Sequence, residues 1–112
     1  MVEGLEMTCF QIISNVGAAR SSYIEGIQKA KAGDFEGARK CIEEGQKLFL
    51  VGHEAHFELI QKEAAGEPVG GSLILVHAGD QLMSAERFKI IAEEMIASYE
   101  RIIELEKKLE NK

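Results

Sequence analysis

Apolar residues recur at steps of three and four along almost the whole chain, and the pattern breaks only twice. In the first run Leu5, Cys9, Ile12, Val16, Ala19, Tyr23, Ile27 and Ala30 form one stripe, the spacing of a helix face rather than the alternation of a strand. In the second, Ala38, Cys41, Gly45, Leu48, Gly52, Ala55 and Leu59 hold the same rhythm, and Ile42, Phe49 and Ile60 widen the face. The third follows Gly66-Glu67-Pro68-Val69-Gly70-Gly71 and runs on through Ile90, Ile91, Met95, Tyr99, Ile102 and Leu109. The pattern predicts an all-α fold of three long antiparallel helices, over about 3–32, 35–65 and from 73 onward.

The breaks carry their own chemistry. Gly33 suits a left-handed cap after the first helix, Asp34 is a good N-cap for the second and Ser72 for the third, since short oxygen-bearing side chains accept the free N–H groups of a first turn. Lys29 and Lys31 suit the negative end of the first helix dipole. Glycines at 37, 45 and 52 sit inside the second helix, where each costs about 1 kcal/mol against alanine. Close approach of a neighbouring helix is the expected compensation. Glu104 and Lys108 form a favourably oriented i, i+4 pair.

At 112 residues the chain reads as one domain, 1–112. A formal charge of −6 argues against a nucleic-acid backbone or an anionic membrane surface as partner, because both attract basic proteins. No run approaches the roughly 18 apolar residues of a membrane span, so a cytoplasmic location is expected. Cys9 and Cys41 lie on apolar positions and read as buried thiols. The glycine-rich loop at 66–71 lacks the Gly-Lys-Ser/Thr ending of a phosphate loop.

The opening of the third helix is different. Leu73, Val76, Asp80 and Met83 share one stripe, and Leu75, Ala78, Leu82 and Ala85 make a second beside it. A helix apolar on two faces needs cover on two sides, which one three-helix subunit does not supply. Self-association through this end follows. His77 and Asp80, at i and i+3, are neighbours within this apolar segment. An acid there is costly unless paired, protonated or bound to a cation, and one acid per chain makes a metal site only where symmetry gathers several copies. His53-Glu54-Ala55-His56 lacks the spacing of a zinc-protease helix, and reads as a surface or half-buried pair.

The segment Leu73-Ile74-Leu75-Val76-His77-Ala78-Gly79-Asp80-Gln81-Leu82-Met83-Ser84-Ala85 resembles the signature of the lactose/cellobiose enzyme IIA proteins. These serve the bacterial phosphoenolpyruvate-dependent sugar phosphotransferase system. Asn15-Val16-Gly17-Ala18-Ala19-Arg20-Ser21, Ala32-Gly33-Asp34-Phe35 and Leu59-Ile60-Gln61-Lys62-Glu63-Ala64 fall where the family has similar segments. The family usually reads His-Ala-Gln-Asp-His-Leu-Met, so Gly79 stands for a glutamine and Gln81 for a histidine.

The resemblance implies a phosphotransferase component with a phosphohistidine intermediate, serving uptake of β-disaccharides of the lactose or cellobiose class. His77 matches the phosphoryl acceptor, which takes the group from the phosphocarrier HPr and passes it to a cysteine of enzyme IIB. Asp80 matches the aspartate at the axis of a homotrimer, where three copies hold one divalent cation; oxygen ligands point to Mg2+. Gln81 is a candidate amide donor to the phosphoryl group, and His53 or His56 a candidate to reach it across a groove between subunits. Two other readings stay open on the residues alone: a non-catalytic helical oligomer of the same fold, and a helical-bundle metal-binding protein.

Overall fold

The computed structural model describes residues 4–111 as three helices: α1 Leu5–Lys31, α2 Phe35–Ala64 and α3 Leu73–Glu110. The expected first turn at Glu3 lies outside the described residues; every other boundary falls within a residue or two of its capping signal. Gly33 has φ 88°, and Gly37 N–H donates to the Asp34 carboxylate at 2.9 Å. Leu75 N–H donates to Ser72 Oγ at 3.2 Å. The helices run up, down and up in a rod of 67 × 20 × 17 Å. α1 is central and packs along both of the others, while α2 and α3 meet over a shorter stretch.

The α1 stripe is the core. Leu5, Cys9, Ile12, Val16, Ala19, Tyr23 and Ala30 are buried, with Gly26 in line. The glycines of α2 fall where α1 crosses closest. A Cβ on Gly45 would overlap the Tyr23 ring and lie 3.0 Å from the Ala19 carbonyl; one on Gly52 would lie 2.7 Å from Val16 Cγ1. Gly26 makes the reciprocal contact, with Ala38 O 3.2 Å from its notional Cβ. Gly37 differs: its neighbours are the Asp34 carboxylate and the Lys29 stem, so it serves the cap rather than a crossing. The Tyr23 ring that fills the Gly45 notch is fully buried, and its hydroxyl has no hydrogen-bond partner. Burial first, and the nearby Glu93 carboxylate second, push this phenol up to about 12.

Several side chains stand elsewhere than periodicity placed them. Ile90, Ile91, Ile102 and Leu109 are exposed and Met95 partly so, while Ala85, Ala92 and Ile96 are buried on the inward face of α3, joined by half-buried Phe88, Tyr99 and Ile103. Alanine gives a weak signal in a sequence but lets helices approach, and it marks this seam. Ile60 is exposed, one residue round the helix from the buried Leu59. Cys9 is buried, but Cys41 is half-buried beside Gly26. Val69, in the connecting loop, is buried in the core between Gly66 and Gly70, both at positive φ.

Gly45→Ala is expected to destabilise the protein by about 1–3 kcal/mol, overpacking outweighing the propensity gain. Gly17→Ala, with nothing within 4 Å, is expected to stabilise by up to about 1 kcal/mol; thermal unfolding of both variants checks the opposite signs. The raised Tyr23 phenol keeps the fold protonated while the unfolded chain ionises, so stability present below pH 10 is lost as pH rises towards about 12. Tyr23→Phe removes an unpartnered buried hydroxyl and is expected to flatten that loss, read as urea midpoints across the alkaline range.

Candidate functional site

The first three turns of α3 present their residues to three different surroundings. With about 100° between successive residues, Ala78 and Leu82 point into the core, and both are buried. Leu73, Val76 and Met83 point the opposite way, 86%, 68% and 50% exposed. The two apolar stripes are therefore real, and one chain covers only one of them.

His77 stands on the flank between core and open stripe, and its side chain is exposed. On the wheel Gln81 lies about 40° from it towards α1, and Asp80 about 60° the other way, towards the open stripe. Asp80 is also exposed, among the uncovered Leu73, Val76 and Met83. Gln81 is half-buried, and its Oε1 accepts a 2.7 Å hydrogen bond from Arg20 Nη1 of α1. Arg20 is half-buried too. Its place off the α1 stripe reads in the sequence as a solvated position; only the packing of α1 against α3 brings it to Gln81, 61 residues away. Beside the polar neighbours that the sequence places on α3 itself, α1 thus brings a guanidinium to the next turn after His77.

The other two histidines lie on the far flank. A Cβ on Gly79 would sit 3.6 Å from His56 Nε2, and Gly79 is about 200° from His77 around α3. The missing side chain at 79 therefore opens space towards α2 and His56, not beside His77. His56 is half-buried. Desolvation first, and His53 second, push its imidazole below the ordinary value, which favours the neutral ring. His53 is exposed on α2 between Phe49 and Phe57, its ring centroid 5.8 Å from the first and 6.4 Å from the second. Within one chain neither shares a flank with His77.

Among the described residues no three His, Cys, Asp or Glu side chains gather where they could hold a metal. Asp80 offers one carboxylate per chain, which fits an alkaline-earth cation only where copies converge. A groove of about 620 Å3 opens between α2 and α3, lined by Arg39, Ile42, Glu93, Ile96 and Glu100 among others. It starts 16 residues beyond His77, about 24 Å along the helix, and shares no residue with this constellation. His77 lies on an open surface rather than in a cleft. Such a position suits a group that must be reached by large partners. No described helix is long and apolar enough to cross a membrane.

The chain is similar to known proteins along most of its length. Residues 7–100 match the model of the family described as "PTS system, Lactose/Cellobiose specific IIA subunit". The lichenan-specific phosphotransferase enzyme IIA component of Bacillus subtilis (strain 168) is 44% identical over 93% of this chain and 94% of its own. The lactose-specific EIIA component of Staphylococcus aureus is 33% identical over 88% and 96%. The crystal structure of the cellobiose-specific enzyme IIA from Bacillus anthracis superposes with a TM-score of 0.84 at 38% identity, over 100% of this chain and 96% of that one. The sequence signature around His77, the three-helix architecture and these matches agree: the chain belongs to the lactose/cellobiose-specific IIA family of the sugar phosphotransferase system.

Proposed function

We propose that the protein is a cytoplasmic phosphoryl carrier for uptake of a β-linked sugar of the lactose or cellobiose class, with His77 as the acceptor. The observation that carries this reading is an exposed histidine on the flank of α3, next to a fixed carboxamide and guanidinium, in a chain of this family. An imidazole nitrogen is a nucleophile near neutral pH when unprotonated, and as a phosphoramidate it keeps a good leaving group. The His77 ring attacks the phosphorus carried by HPr; the bond to the donor breaks and its electron pair returns to the donor. A cysteine thiolate of enzyme IIB then attacks the same phosphorus, and the pair of the P–N bond returns to His77. Gln81 donates an amide hydrogen to the phosphoryl oxygens in between.

The uncovered stripe of Leu73, Val76 and Met83 supports a homotrimer in which three copies of α3 meet there. Covering such side chains gains up to about 1.5–3 kcal/mol for each one fully buried, and this gain drives association when three stripes close on one another. Asp80 lies on the same stripe, so assembly brings three carboxylates together, and repulsion among them is relieved by one divalent cation, Mg2+ by its preference for oxygen. In this arrangement the α2 flank of one subunit, with His56, faces the groove beside His77 of another.

Incubation with phosphoenolpyruvate, enzyme I and HPr is expected to add one acid-labile phosphate per chain, mapped by mass spectrometry to His77. His77→Ala is expected to abolish it without loss of the trimer; phosphate appearing instead on His53 or His56 would show that another histidine is the acceptor. Light scattering is expected to give three times the chain mass, and a monomer at micromolar concentration would overturn the assembly. Asp80→Asn is expected to remove the bound cation by elemental analysis, and unchanged cation content would eliminate the axial site.

A further inference from the structure

The phosphoryl-carrier reading uses Arg20 as a neighbour of the site but gives it no step, yet the structure ties this residue to Gln81. The contact between Arg20 Nη1 and Gln81 Oε1 is the single hydrogen bond between two side chains among the described residues. The ion pairs among the described residues join Lys40 to Glu36, Lys89 to Glu93 and Lys108 to Glu104, and none involves Arg20. A guanidinium stays charged at any pH a protein survives and carries five N–H donors. Here it is half-buried with a neutral amide as its bonded side-chain partner, an arrangement that leaves positive charge and donors for an anion.

The same contact fixes which way Gln81 faces. A guanidinium accepts no hydrogen bond, so the atom that meets it must be the carboxamide oxygen. The nitrogen, with two hydrogens, is turned away from Arg20. Because residues i and i+4 lie on one surface of a helix, the side chain that carries this free amide shares a surface with His77.

We propose that Arg20 is the positioning residue of the phosphoryl site: it holds Gln81 by its oxygen so that the amide nitrogen donates to the phosphoryl group on His77, and its charge offsets the dianion formed there. The proposal rests on the carrier reading of His77. It makes α1 a working part of a site otherwise built from α3, and gives a histidine-to-glutamine change in the family signature a partner in the same chain. Gln81 lacks the charge that an imidazolium brings; Arg20 supplies it from one helix away.

The test is a double-substitution cycle on the full chain, charged from phosphoenolpyruvate, enzyme I and HPr, with uptake rates read across phospho-HPr concentration. Gln81→Ala is expected to slow uptake at saturation about ten- to a hundredfold and Arg20→Met about tenfold, with KM for phospho-HPr unchanged. The double variant is expected to be slower than Gln81→Ala alone by clearly less than the factor Arg20→Met costs in wild type, because the positioning share is already lost and only the charge share remains. Losses that multiply, or an Arg20→Met protein as fast as wild type, overturn the pair while leaving His77 as acceptor. A wild type that takes up no phosphate overturns the carrier reading, and the pair with it. Arg20→Lys keeps the charge and the stem, so it guards against a folding defect and is expected to recover part of the rate. The Gln81 carboxamide NMR signals are expected to shift on phosphorylation in wild type and to lose that response in Arg20→Met; an unaltered response overturns the positioning role.

Discussion

The structure depends on how closely α1 and α2 approach. Tyr23 lies in the notch left by Gly45, Val16 against Gly52, and Gly26 beneath Ala38 and Cys41. These three contacts are spaced along both helices in an antiparallel register that cannot slip without driving a ring or a branched side chain into backbone. An ordinary leucine seam tolerates small shifts by repacking, whereas a glycine notch does not. The fixed register places α1 as the middle element and presents its two long sides, one to α2 and one to α3.

The consequence for α3 is a division of labour around its axis. Alanines at 78, 85 and 92 are fully buried, so the helix sits close to its neighbours with little side chain between. The larger apolar residues Leu73, Val76, Met83 and Ile90 are consequently on the outside. Bulky apolar groups facing water and small ones facing the core are the reverse of what a free-standing bundle would choose. The inversion is intelligible if the outer stripe faces further copies of the same helix. Asp80 lies on that outer stripe, and His77 on the edge between the two regimes, reachable by a partner yet beside the packed seam that brings Arg20 to Gln81.

The three histidines differ in surroundings more than their shared residue type suggests. His53 is occupied with the Phe49 and Phe57 rings along its own helix. His56 is half-buried against the backbone of α3 at Gly79 and disfavours protonation. His77 is exposed, with a polar pair on one side and an acid on the other. The proposed carrier role fits that exposure, since an enclosed pocket would exclude both donor and acceptor domains.

What the sequence determined by itself was the part governed by neighbours along the chain. Helix number, the caps at Asp34 and Ser72, the left-handed Gly33 and the α1 stripe all follow from short-range chemistry. The glycines of α2 could be read as close approaches because an uncompensated glycine is costly in a helix. His77, Asp80 and Gln81 stood out because they share one short signature on one helix face. Tertiary structure alone decided what lies across from what. It turned Ile90, Ile91 and Ile102 outward and put alanines in the seam, because burial depends on which flank the neighbouring helix takes, and periodicity leaves that choice open. It drew Val69 out of a loop into the core. It also joined Arg20 to Gln81 across 61 residues, a contact that no spacing rule reaches, since it exists only once the α1–α2 crossing has fixed where α1 meets α3.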